Sequence, residues 1–275
     1  MKPYLLLMTL YLATNLCYSQ PVTLQLLWQT DSVWKVPESV LYHAKQKRLY
    51  VSNIDGAPNG KDGKGSIGYM KTNGKGIVVE WITGLHAPKG MALHKHLLYV
   101  ADLDAVAVID VKQQKIITRL PIEGATFLND ISADPEGNLY VSDSDQKRVH
   151  KIAGQSVTIF ADGFTRPNGV LWQPDGLFVL DAGVVWKISN GHKDKIAEGL
   201  EGATDGIERL EDGSFLVSCW QGVLYHVMAN GHKTILADSR AQAINTADIG
   251  WNPAKKILYV PTFFKNRIMA YQVKP

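Results

Sequence analysis

Three polar triplets stand out in the chain: Pro37-Glu38-Ser39, Pro167-Asn168-Gly169 and Thr204-Asp205-Gly206. Each precedes an apolar run and then a β-rich run that ends in a turn. Glu38, Asn168 and Asp205 together make an oxygen-only donor set without histidine or cysteine. Hard cations take such sets, which points to one divalent ion: calcium first, with magnesium, manganese or zinc as the other choices. Three protein donors leave coordination positions open for water and a substrate. Residues so far apart along the chain can share one ion only if their segments are equivalent parts of a repeat that present their opening residues to a common axis.

Such a repeat is written in the sequence. One phrase recurs: a polar residue, a small residue, an apolar run, a turn rich in Pro, Asp, Gly or Lys, then a strand such as Leu-Tyr-Val. It opens at Glu38, Lys89, Asn129, Asn168, Asp205 and Ala247, and its second strands include Arg48–Asn53, Leu139–Asp143 and Phe215–Cys219. A period of roughly 40 residues with short strands is the blade length of a β-propeller. Turns such as Asp134-Pro-Glu-Gly137 and Pro174-Asp-Gly176 suit the hairpins between first and second strands. No segment sustains a 3.6-residue apolar period, which argues against helices. The expected fold is therefore all-β, a six-bladed β-propeller. The sixth blade lacks a fourth strand, and Thr23–Trp28 is free to supply it, closing the ring and removing an exposed edge.

First-strand residues line a propeller channel, so the six opening residues are expected to face inward together. The plainer reading is a ring of water-solvated polar groups without chemistry. Asp130 and Asp248, one residue further on, are expected at the same mouth as substrate contacts, or else as strand-end caps. Trp220, after the fifth second strand, is a candidate substrate platform at the mouth. The long first repeat carries its surplus after Asn53, in the glycine-rich stretch 55–65, a lid beside the channel or an idle insertion.

Residues 1–19 read as a secretory signal peptide: Lys2, then an apolar stretch through Ala13, then Cys17-Tyr18-Ser19. They are too short for a membrane span, and bulky Leu16 argues against a lipid anchor on Cys17. The expected product is an exported protein, periplasmic or secreted, with residues 20–275 as one domain. Only Cys219 remains in that domain, so it has no internal disulfide. The net charge of +3 and the lack of long basic runs give no argument for nucleic acid or a membrane surface. A monomer acting on a small molecule is expected.

The chain resembles the senescence marker protein / gluconolactonase / luciferin-regenerating enzyme family. The resemblance is carried in order by Pro37-Glu38-Ser39, by Leu128-Asn129-Asp130 with Asp134-Pro135-Glu136-Gly137, by Pro167-Asn168-Gly169-Val170 with Pro174-Asp175-Gly176, and by Asp205-Gly206-Ile207 with Asp212-Gly213-Ser214-Phe215. It implies one channel cation on Glu38, Asn168 and Asp205, hydrolysis of a lactone or related ester, Asp205 as the group that takes a proton from water, and Asn129 orienting the substrate. Two departures follow. Phe127 stands where many sugar lactonases of the family carry arginine, which admits a more apolar substrate. Lys89 in the ring either pairs with Glu38, offsets the ring's acidity, or binds a substrate carboxylate or phosphate.

Whether the chain is an enzyme at all is left open by these residues. A non-catalytic secreted binding propeller is the main rival, and a strictosidine-synthase-like propeller with other chemistry is the third. The G-x-G-x-x-G match at Gly63–Gly68 precedes no helix and is set aside. His86, His94 and His96 lack zinc-site partners, and the tryptophans, scattered blade by blade, suit core packing.

Overall fold

The computed structural model describes residues 21–274; the signal-peptide segment 1–19 lies outside them. Among the described residues there are six four-stranded antiparallel sheets. Their innermost strands are Pro37–His43, Pro88–His94, Leu128–Ala133, Pro167–Gln173, Thr204–Arg209 and Gly250–Asn252. This is the expected six-bladed β-propeller. The sixth sheet is completed by Thr23–Gln29, paired antiparallel with Ile268–Lys274 from Thr23 opposite Lys274 to Gln29 opposite Met269. The first and last described strands thus lie in one blade, and the edge of Ile268–Lys274 is covered where the ring closes. Among the described residues no helix is long and apolar enough to cross a membrane.

Alternation of apolar residues gives each blade two apolar faces, and each face is buried against a neighbouring blade. Phe178, Leu180 and Val185 of the fourth blade pack on Ile207, Phe215 and Val217 of the fifth. Val40, Leu49 and Trp34 pack on Tyr259, Ile268 and Ala270 across the closure. The core is therefore a ring of inter-blade seams around an open axis.

Two devices set the channel residues. The first is a polar clamp at the end of the second strand. Asp102 accepts the backbone N–H groups of His86 and Ala87, both at 2.9 Å. Asp143 accepts those of Thr126 and Phe127 at 3.1 and 3.3 Å, Asp181 those of Thr165 and Arg166 at 2.9 and 2.6 Å, and Asn53 that of Lys35 at 3.2 Å. In each blade the clamped segment leads straight into the channel strand.

The second device is a bulge at the head of that strand. Pairing register shifts between Pro37 and Ser39, Pro88 and Met91, Leu128 and Ile131, Pro167 and Val170, and Thr204 and Ile207. A bulge re-aims side chains out of strict alternation. In the second, fourth and fifth blades a glycine follows the opening residue, and there the next blade presses close. A Cβ on Gly90 would lie 2.0 Å from Asp130 Oδ1 and 2.6 Å from Asp130 Cα, and one on Gly206 would lie 2.4 Å from the Ile249 nitrogen.

G90A is expected to cost about 2–3 kcal/mol, because the crowding involves the Asp130 backbone and not only a movable side chain. G202A, with nothing within 4 Å of its added Cβ, is the neutral comparison in the same urea-denaturation series.

Candidate functional site

The bulges deliver Glu38, Lys89, Asn129, Asn168 and Asp205 to the wall of one cavity of about 390 Å³ at the channel mouth. Phe127 and Trp220 line it too. The sixth opening residue, Ala247, is fully buried in an apolar cluster with Ile54, Leu103 and Phe263 and contributes no polar group.

Asn168 Nδ2 donates to Asp205 Oδ1 at 3.0 Å. With its nitrogen turned to that carboxylate, the Asn168 oxygen is left for another partner. Glu38 is 5 % exposed, and its Oε2 is buried without any hydrogen-bond partner. Such an orphaned oxygen is costly unless a proton or a cation accompanies it. Burial, then the charges of Asp205 and Asp248, hold the Glu38 carboxyl well above its usual range, while Lys89 pulls it back. Burial and Asp248 raise Asp205 likewise, partly offset by the Asn168 hydrogen bond. Two crowded acids, one orphaned oxygen and an amide oxygen facing away from its neighbour fit a hard divalent cation by donor chemistry. Among the described residues no three His, Cys, Asp or Glu side chains form a cation-holding group by themselves.

Lys89 does not satisfy Glu38 directly. Its Nζ donates to the Ala87 carbonyl at 3.0 Å and sits 4.4 Å from the centre of the Phe127 ring; among the described residues it forms no ion pair. Burial brings its ammonium down to about 8, against the raising charges of Glu38, Asp102 and Asp145. Asn129 Nδ2 donates to Ser144 Oγ at 3.0 Å, and Ser144 Oγ donates to the Pro167 carbonyl at 2.6 Å.

Asp130 and Asp248 are not at this mouth. They line a second cavity of about 240 Å³ further along the channel, with Ser39, Ser132 and Glu208. A strand advances about 3.3 Å per residue, so the residue after a mouth residue sits one level deeper. There Asp130 is a seam residue: its carboxylate accepts Ile131 N and, across the blades, Val170 N, both at 2.7 Å. Asp248 accepts the Ser39 hydroxyl at 2.5 Å. These bonds are those of the strand-capping alternative.

Other cavity residues carry a weaker sequence signal. Arg166 lies two residues before Asn168, which is the place Phe127 holds before Asn129. A guanidinium therefore stands at the mouth one blade on, paired with Asp145 at 2.8 Å and 5.2 Å from the Phe127 ring centre. Ser144, Phe263 and Phe264 follow second strands just as Trp220 does, so the rule that singled out Trp220 reaches them as well. The loop after Asn53 also reaches the rim. Ile54 and Pro58 line the cavity, while Lys61 pairs with Asp104 of the second blade at 2.7 Å and Gly63 N donates to His86 Nδ1 at 3.2 Å. Cys219 is buried, and burial, with Asp205 nearby, pushes its thiol up to about 12; it is no nucleophile.

The SMP-30/Gluconolactonase/LRE-like family model matches residues 36–188. The match takes in Glu38, Lys89, Phe127, Asn129 and Asn168; Asp205 and Trp220 lie beyond it. No curated protein matches the chain. Among solved structures, a gluconolactonase from Xanthomonas campestris is similar at 14% identity with TM-score 0.68, over 88% of this chain and 87% of that one. A chain of a nidogen/laminin complex is similar at 19% identity with TM-score 0.65, over 78% and 84%. Streptogramin B lyase is similar at 9% identity with TM-score 0.66, over 92% and 98%. At these identities the likeness is one of fold.

The deeper cavity sets a pH dependence. Burial and the Asp248 charge lift Glu208 from 4.5 to about 8, against a pull from the Trp251 backbone N–H. Between those values the folded protein keeps a proton that the unfolded chain has lost. This contribution to stability is therefore full below about pH 4.5, declines as pH rises and levels off above about pH 8. E208Q cannot ionise. Urea titrations at about pH 5 and about pH 9 are expected to show the variant gaining on the parent at the higher pH.

Proposed function

From its membership in the SMP-30/gluconolactonase/LRE-like family, we propose that this chain is an exported, monomeric, divalent-metal-dependent hydrolase of lactones or related esters. The observation that carries the reading is the partnerless Glu38 Oε2 beside the Asn168–Asp205 pair in one solvent-reachable cavity. Glu38, Asn168 and Asp205 would hold the cation, calcium by preference, and when bound it supplies a Lewis acid for an ester carbonyl.

The chain's own residues do the rest. Water adds its oxygen to the carbonyl carbon, and Asp205 takes a proton from that water. The ring C–O bond breaks, and the proton goes to the departing alkoxide, leaving a hydroxy acid. Asn129, with its nitrogen fixed on Ser144, turns its oxygen to orient the substrate. Lys89 has N–H groups beyond the one used on Ala87 and can hold the carboxylate that forms.

A non-catalytic binding propeller is the second reading, favoured by the exposed aromatic rim at Phe264, which is 60% exposed. The two readings separate in one assay. Across a panel of lactones and simple esters with calcium, magnesium or manganese added, the parent is expected to turn over at least one substrate, and D205A is expected to lose about 10³-fold in kcat/KM. Turnover unchanged in D205A defeats the mechanism. An inert parent under all these ions favours the binding propeller.

A further inference from the structure

Resting on the hydrolase reading, we infer that the substrate is a lactone with an aromatic or alkyl flank, not a polyhydroxylated sugar lactone.

A sugar lactone presents a hydroxyl on nearly every carbon, and its site must answer each with a free donor or acceptor, since an unanswered buried polar group is costly. Several polar groups of this cavity are already engaged within the protein. Asn129 Nδ2 is committed to Ser144 and the Ser144 hydroxyl to the Pro167 carbonyl. Asn168 Nδ2 is committed to Asp205. Arg166 is paired with Asp145 and lies over Phe127. The rest of the wall that the body of a ligand would meet is formed mainly by Ile54, Pro58, Phe127, Trp220, Phe263 and Phe264.

That apolar wall is built and held. Trp220, Phe263 and Phe264 form an edge-to-face triangle, with ring centres 5.6, 6.0 and 4.8 Å apart and interplanar angles of 79, 81 and 88°. Phe264 is 60% exposed while its neighbour Phe263 is buried at 4%. The short turn that presents Phe264 is pinned: Asn266 N donates to the Phe263 carbonyl at 3.0 Å, Val36 N donates to Asn266 Oδ1 at 2.9 Å, and Thr262 Oγ1 donates to the Arg267 carbonyl at 3.0 Å. Phe263 itself takes φ +47°, a conformation rare for a bulky residue and kept where function repays it. A large aromatic ring held in water at the rim of a cavity, with reactive groups on that cavity's wall, is a contact surface for whatever enters. Phe127 and the apolar side chains of Ile54 and Pro58 also line the cavity. Its volume of about 390 Å³ accommodates a bicyclic ring.

The test combines a non-hydrolysable probe with turnover. The probe is 3,4-dihydroquinolin-2-one, the lactam counterpart of dihydrocoumarin, compared by calorimetry with D-gluconolactam on the calcium-loaded protein. The aryl lactam is expected to bind about tenfold or more tightly than the sugar lactam, with that preference erased in W220A/F264A and reduced in F264A alone, whose exposed position spares the fold. Dihydrocoumarin is expected to exceed D-glucono-δ-lactone by about tenfold or more in kcat/KM, each relative to its spontaneous hydrolysis. Equal or tighter binding of the sugar lactam, no binding of either lactam, or a preference that survives in W220A/F264A overturns the inference. Selective binding of the aryl lactam with neither lactone hydrolysed upholds the apolar site and overturns the hydrolase reading alone. Faster turnover of the sugar lactone does the reverse.

Discussion

The site depends on carboxylates that never enter it. Asp102, Asp143 and Asp181 are almost wholly buried, and each accepts two neighbouring backbone N–H groups from the segment that feeds a channel strand. A buried carboxylate is tolerated only when its lone pairs are met, and backbone N–H groups meet them strongly. The result is a fixed staple two or three residues upstream of Lys89, Asn129 and Asn168. Asn53 does the same for the strand of Glu38, through Lys35. Glu38, Lys89, Asn129 and Asn168 therefore stand at the heads of stapled strands, which hold position better than loops. In the fifth blade Cys219 occupies the clamp position and cannot act this way. There Thr246 donates to the Cys219 carbonyl at 2.7 Å, and Asn245 Nδ2 to that of Trp220 at 2.9 Å. The aromatic rim grows from this part of the ring.

The bulges make the channel two-storeyed. Opening residues face the mouth; the residues after them, Ser39, Gly90, Asp130, Gly169, Gly206 and Asp248, meet the adjacent blade. Gly90, Gly169 and Gly206 let that contact close, and Ser39, Asp130 and Asp248 fill it with hydrogen bonds. Both storeys are acidic, and among the described residues Lys89 is the one basic side chain deep within them. Burial first, and then this crowding of carboxylates, holds the channel carboxyls above their usual range, and a cation at the mouth would relieve it.

Much of this was legible in the chain. Six openings at near-constant spacing, and an orphan strand at the start to close the last blade, lead directly to the architecture. The convergence of Glu38, Asn168 and Asp205 on one cavity follows from equivalence of the blades. The depth of Asp130 and Asp248 did not follow, because adjacency in sequence hides both the advance along a strand and the bulge that turns two successive side chains. Phe263 and Phe264 carried only a weak signal, for another reason. They lie in a short turn after a second strand, and no periodicity reports which way such a turn presents its rings. Arg166 carries its guanidinium to the same cavity from the fourth blade, one blade on from Phe127.

The central claim is that oxygens from three blades hold one divalent ion. Calcium titration followed by calorimetry, on the chelator-stripped protein and on E38A, tests it most directly. The account predicts a single mouth site in the parent that disappears in E38A. No heat of binding in the parent, or an identical isotherm in both proteins, would contradict it.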